Sequence, residues 1–144
     1  MKGIGLRYAL RGVGTAVRRE RNLRIHLTAA FFVTVYAAIG RVEGWAWAVI
    51  LVCFGLVLGL ELMNSAVEGL ANRVTTEREH QIAEVKDMSA GGVLMAAVCA
   101  AGVAVCVFAR QEVWEAVIAD RLSYIALITL PFGVWFIKGK KTWK

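Results

Sequence analysis

Two carboxylates, an amide and a hydroxyl share one helical stripe near the middle of this chain. Glu61, Asn64, Ser65 and Glu68 stand at i, i+3, i+4 and i+7, spacings that place side chains on one helix face. Asn72, at i+11, extends the stripe. The residues before it are apolar from Trp45 to Leu60, so the carboxylates stand where an apolar run gives out. There a carboxylate is costly unless it faces a neighbouring helix, water, a partner charge or a metal ion. The plain alternative is that Glu61 and Glu68 reach into water from a helix end. An amide and a hydroxyl on the same face argue against that accident.

Two other clusters carry chemistry. Glu20 follows a basic segment and precedes the first apolar run, where it offers another oxygen ligand for a divalent cation. Magnesium held by one or two carboxylates plus substrate phosphates is the usual arrangement for phosphoryl transfer. A glutamate beside Arg18, Arg19 and Arg21 is also a candidate for an ordinary surface ion pair. Lys86 and Asp87 open a later apolar run. A lysine there can neutralise phosphate charge, and an aspartate can bind metal or orient the lysine. Asp near a helix start is equally a capping choice. The following Ser89, Ala90, Gly91 and Gly92 permit close helix approach.

The elements that must position these groups are set by composition. Of 144 residues, 58% are hydrophobic, and the mean hydropathy is +0.59. A soluble domain of this size cannot hide so much apolar side chain, so the natural solvent is a bilayer. The net charge of +6, from 17 Lys+Arg against 11 Asp+Glu, would by itself allow a nucleic-acid partner. The basic residues instead flank the apolar runs, which points to membrane topology and away from nucleic acid. Cys53, Cys99 and Cys106 lie within apolar stretches, an odd number without metal-ligand spacing, and read as small packing residues. The basic N-terminus lacks the compact apolar core of a cleavable signal.

Along the chain, Leu6, Leu10, Val13 and Val17 recur at helical spacing within an arginine-rich segment from Gly5 to Arg24. That pattern predicts an amphipathic helix lying at the membrane surface. Apolar runs follow from Leu27 to Gly40, from Trp45 to Leu60 with a polar helical extension to about Val74, and from Met88 to Ala109. A fourth, Leu122 to Ile137, contains Pro131. Trp45, Trp47, Trp114 and Trp135 stand near run ends, as an aromatic belt requires. The expected fold is all-α: an integral membrane helical bundle with a surface helix, three crossings and a fourth C-terminal one. The division falls at 1–110 for the main unit and 111–144 for an extension with a basic tail. Arginines and lysines at both termini and in the loop between the second and third runs, with Arg73, Arg78 and Lys86, place those regions in the cytoplasm. The polar stripe then lies where a lipid hydroxyl and a water-soluble nucleotide meet.

Familiar nucleotide motifs are missing. No G-x-x-x-x-G-K-S/T loop and no protein-kinase set is present, and Gly139-Lys140-Lys141-Thr142 lacks the upstream glycine. His26 and His80 show no metal-site spacing. Any ATP site is therefore membrane-embedded and of another kind.

These residues resemble the small membrane-embedded diacylglycerol kinase and undecaprenol kinase family of bacteria, from about Leu6 to Phe108. The resemblance rests on Glu20-Arg21-Asn22-Leu23-Arg24-Ile25-His26, Glu61-Leu62-Met63-Asn64-Ser65-Ala66-Val67-Glu68 and Lys86-Asp87-Met88-Ser89-Ala90-Gly91, in that order. It implies a homotrimer of three-crossing subunits in the bacterial cell membrane, with active sites shared between neighbours. It further implies Glu61 as catalytic base for the lipid hydroxyl, with Ser65 beside it. Glu20 and Glu68 match the ligands of the Mg2+ that carries ATP, and Asn64, Lys86 and Asp87 match residues lining the nucleotide and phosphate site. The form Glu-Arg-Asn-x-Arg-Ile-His is similar to the Gram-positive branch, which favours undecaprenol over diacylglycerol as acceptor. Asn72 stands where the family usually has aspartate, and the fourth apolar run exceeds the family's three crossings. The competing reading is a non-enzymatic small membrane module whose polar stripe lines a pore or binds a partner helix.

Overall fold

The computed structural model describes residues 4–74, 79–119, 129–130, 133–134 and 136–138. Among them every regular element is helical. The order is α1 (Ile4–Arg19), α2 (Arg21–Ile39), α3 (Gly44–Val74), α4 (His80–Phe108) and α5 (Gln111–Ala119). Three of these, α2, α3 and α4, are long and apolar enough to cross a membrane. The chain is an all-α membrane bundle. The fourth apolar run, Leu122 to Ile137, falls mostly outside the described residues.

The arginine-rich periodicity predicts one helix through Arg24, but α1 stops at Arg19. Glu20 takes an extended conformation (φ −94°, ψ 116°) and α2 begins at Arg21. Arg24 then turns back to close α1, its Nη1 donating to the carbonyls of Val17 and Arg18 at 3.1 Å each. Those carbonyls have no partner within their own helix end, so this side chain supplies one. The same guanidinium reaches the Ile137 carbonyl, with Nη2 at 3.3 Å and Nε at 3.4 Å. Gly133 lies against Thr28, where an added Cβ would come within 3.0 Å of Thr28 Cγ2. Gly133 and Ile137 therefore pack on the first turns of α2.

α3 is the longest element. Its apolar part, Gly44 to Leu60, rises about 25 Å at ~1.5 Å per residue, close to the ~30 Å hydrocarbon thickness. The polar continuation, Glu61 to Val74, extends beyond it. α4 starts eight residues before its apolar run because His80 to Asp87 are polar but continue the helix toward water. α3 packs chiefly on α4, and it also packs on α2.

The best-packed region lies at the end away from the polar stripe. Ala37, Ala46, Ile50 and Val107 form the buried cluster there, flanked by Val33, Trp47, Phe54 and Phe108. α2 closes beside it with the Val42 amide on the Ala37 carbonyl at 3.2 Å and the Arg41 amide on Ala38 at 3.3 Å. This is the paired-bond Schellman ending. Its left-handed position is taken by Arg41 (φ 49°), one residue after Gly40. Gly40 serves close approach instead: a Cβ there would stand 2.6 Å from Val113 Cγ1 on α5. Elsewhere Leu51, Val52, Leu56, Leu94, Met95 and Val98 remain exposed, as suits a chain solvated by lipid or by copies of itself.

Candidate active site

The polar stripe forms on α3 with the predicted register. Glu61 and Asn64 are buried, at 3% and 7% exposure, and are the buried polar side chains among the described residues. Burial of a carboxylate at the top of an apolar run demands a donor. The donor comes from another helix: His26 Nε2, on α2, lies 3.3 Å from Glu61 Oε1. One turn along α3, Asn64 Nδ2 donates to Glu68 Oε1 at 3.0 Å. Asn64 Oδ1 has no hydrogen-bond partner although it is buried. An unmet acceptor in that position costs about 1–3 kcal/mol, which marks the site as one not optimised for stability alone.

Ser65 turns its hydroxyl to its own helix, donating to the Glu61 carbonyl at 2.9 Å. Its oxygen keeps acceptor capacity, but its one proton is engaged. Glu20 stands at the break between α1 and α2 in N-cap geometry, yet its carboxylate makes no capping bond. Glu20 and Glu68 both lie within electrostatic reach of Glu61. Neither has an ion-pair partner among the described residues. Arginines 18, 19 and 21 thus leave Glu20 unpaired, contrary to the ordinary surface-pair alternative.

Lys86 and Asp87 are not gathered around Glu61. Lys86 Nζ donates to Asn72 Oδ1 at 2.6 Å, joining α4 to the far end of the stripe. Eleven residues of helix separate Asn72 from Glu61, about 16 Å at ~1.5 Å per residue. Asp87 is exposed next to it. The arrangement is elongated: a buried carboxylate at the apolar end, a lysine at the polar end, and Asn64 and Glu68 between them.

Among the described residues no group of three or more His, Cys, Asp or Glu side chains is placed to hold a metal ion by itself. Magnesium keeps most of its shell for water and phosphate oxygens and needs only one or two carboxylates from the protein. Glu20 and Glu68, each acting on Glu61 and without an ion-pair partner among the described residues, are the carboxylates available for that role. Below His26 an apolar cavity of about 180 Å³ lies between α2, α3 and α4, lined by Ala29, Ile50, Cys53, Val57 and Ala100 among others.

His26 is the residue that spacing did not reveal. Glu61 is distant in sequence and on another helix, and a search for metal-ligand spacing had no reason to pair them. The available signal was position: His26 closes the same short motif that Glu20 opens.

The profile of the prokaryotic diacylglycerol kinase family matches residues 7–108, the stretch that carries every one of these groups. The chain belongs to that family. It is 36% identical over 104 residues to a diacylglycerol kinase of Synechocystis sp., covering 72% of this chain and 59% of the relative. It is 30% identical over 102 residues to an undecaprenol kinase of Bacillus subtilis, covering 70% of this chain and 82% of the relative. The chain thus spans under two thirds of the first relative and most of the second. No solved structure matches it.

Proposed function

We propose that the chain is a lipid kinase, a phosphotransferase that moves the γ-phosphoryl group of ATP to a lipid alcohol at the cytoplasmic membrane face. The observation that carries this reading is the buried Glu61 carboxylate at the boundary between the apolar and polar parts of α3. A hydroxyl anchored by an apolar tail reaches that depth, and a triphosphate in water reaches the polar end of the same stripe. A pore or partner-binding helix would spread its polar residues along the membrane depth, whereas here they gather at one end.

In this mechanism Glu61 accepts the proton of the lipid hydroxyl as its oxygen attacks the γ-phosphorus. The bond from phosphorus to the bridging oxygen breaks, and ADP leaves with that electron pair. Asn64 and Glu68 hold the phosphate side of the site, while Lys86, steadied by Asn72, offers its ammonium to phosphate oxygens with Asp87 beside it. Ser65 offers its oxygen as an acceptor near the lipid head. Glu20 and Glu68 would hold magnesium, which when bound neutralises phosphate charge. Positioning supplies most of the acceleration, as in phosphoryl transfer generally. The working assembly in this reading is a homotrimer, in which neighbouring copies cover exposed apolar faces and share sites.

Undecaprenol is the acceptor we favour, on the Glu20-to-His26 motif and the similarity to the B. subtilis undecaprenol kinase. The higher identity to the Synechocystis diacylglycerol kinase supports diacylglycerol as the second reading. Detergent-purified protein given labelled ATP, magnesium and each lipid in parallel decides between them. Faster product formation on undecaprenol is expected, and a preference for diacylglycerol would reverse the assignment of acceptor. Folded protein inactive on both lipids would overturn the kinase reading.

A further inference from the structure

We infer that His26 is a positioning residue for Glu61: its Nε2–H holds Oε1, so that Oε2 is presented to the acceptor hydroxyl. The inference rests on the lipid-kinase reading and adds to it a residue from a different helix. The Glu61 side chain is 4% exposed, so an ionised carboxylate there needs a donor. His26 supplies that donor from α2, at 3.3 Å. The other groups that act on Glu61, Glu20 and Glu68, are carboxylates and cannot donate when ionised.

The surroundings make His26 more than a space-filling side chain. Its ring stands at the head of the apolar cavity, where the lining from α3 and α4 is Ile50, Val57, Ala97 and Ala100 with Cys53 as the one titratable group. The His26 side chain is a quarter exposed while that of Glu61 is almost fully covered. A carboxylate free to rotate would present either oxygen to the hydroxyl, and small misplacements of a reacting group are expensive in rate. A hydrogen bond from a second helix removes that freedom. The neutral ring with Nε2 protonated does this and leaves Glu61 free to take the lipid proton.

The test compares wild type, His26→Leu, His26→Gln and Glu61→Gln for phosphate transfer from ATP to the preferred lipid. His26→Leu should lower kcat about ten- to a hundredfold, the worth of one hydrogen bond to a charged group, with KM for ATP unchanged. His26→Gln keeps a side-chain N–H donor, so it should recover most of kcat. A kcat within twofold of wild type in His26→Leu overturns the inference, as does a His26→Gln variant no faster than His26→Leu. If His26→Leu fails to fold, His26→Ala takes its place with the same expected loss and the same overturning result. Wild type inactive on every lipid would sink the kinase reading instead. Active wild type, inactive Glu61→Gln and unaffected histidine variants would sink only the role of His26.

Discussion

The two ends of this bundle are built from the same three helices and solve opposite problems. At one end Ala37, Ala46, Ile50 and Val107 close-pack, and the polar groups nearby are satisfied in the open. Glu43 there accepts from Arg110 Nη1 and from Trp45 Nε1, each at 2.7 Å, on exposed side chains. At the other end Glu61 and Asn64 are buried, one Asn64 oxygen has no partner, and Glu20 and Glu68 act on Glu61 without ion-pair partners among the described residues. The first end spends its residues on holding helices together. The second keeps carboxylates where water is scarce, an arrangement that costs stability and makes chemical sense only if a ligand completes it.

That contrast predicts separable losses. The largest belongs to Glu61→Gln, which should cut phosphate transfer by about 10²- to 10⁴-fold, the usual worth of a general base, and leave the helices folded. At the packed end, Ala37→Leu overfills a fully buried position and should cost about 1–3 kcal/mol of stability. Its kcat per folded molecule should match wild type, checked by thermal unfolding and by activity normalised to folded protein. Equal damage to kcat would show that the two ends are coupled.

Asn64→Leu sharpens the comparison from the other side. It removes the unmet buried acceptor along with the donor to Glu68, so thermal stability should hold or rise by about 1 kcal/mol while transfer falls and KM for ATP rises. A loss of stability comparable to that of Ala37→Leu would mean that Asn64 is structural. The smallest effect is expected at Glu43. The hydrogen bond from Arg110, then that from Trp45, then the Arg110 charge hold this carboxyl below the ordinary carboxylate range. A carboxyl lowered by folding contributes stability above its unfolded pKa and loses it as pH falls through the lowered value. Because the pair is exposed, Glu43→Gln should move the thermal midpoint barely at neutral pH and not at all once the wild-type group is protonated.

Much of this architecture is legible in the residues themselves. The stripe from Glu61 to Asn72 follows from helical spacing, and α3 matches its predicted limits to one residue, because apolar and polar parts share one unbroken period. The starts of α2 and α4 were less visible: Arg21 to His26 and His80 to Asp87 are helical but polar, and hydropathy registers only what lies in hydrocarbon. The break at Glu20 is a backbone event inside a continuing amphipathic pattern. Helix α5, nine residues long, is too short for an apolar run to announce it. Gly40 and Arg41 exchange the roles that composition alone would assign, because Val113 needs the space over the glycine. His26 was hidden for the simplest reason, since its partner is on another helix. Asn72 gained a defined place, as the acceptor that holds Lys86.

The central claim is that Glu61 is the base of a lipid kinase. The most direct measurement sets wild type beside Glu61→Gln in magnesium-dependent transfer of labelled phosphate to undecaprenol, with ATP binding and oligomeric state measured on the same samples. The account predicts that the variant assembles and binds ATP like wild type while transfer falls by at least about a hundredfold. Transfer at the wild-type rate by a folded Glu61→Gln protein would contradict it.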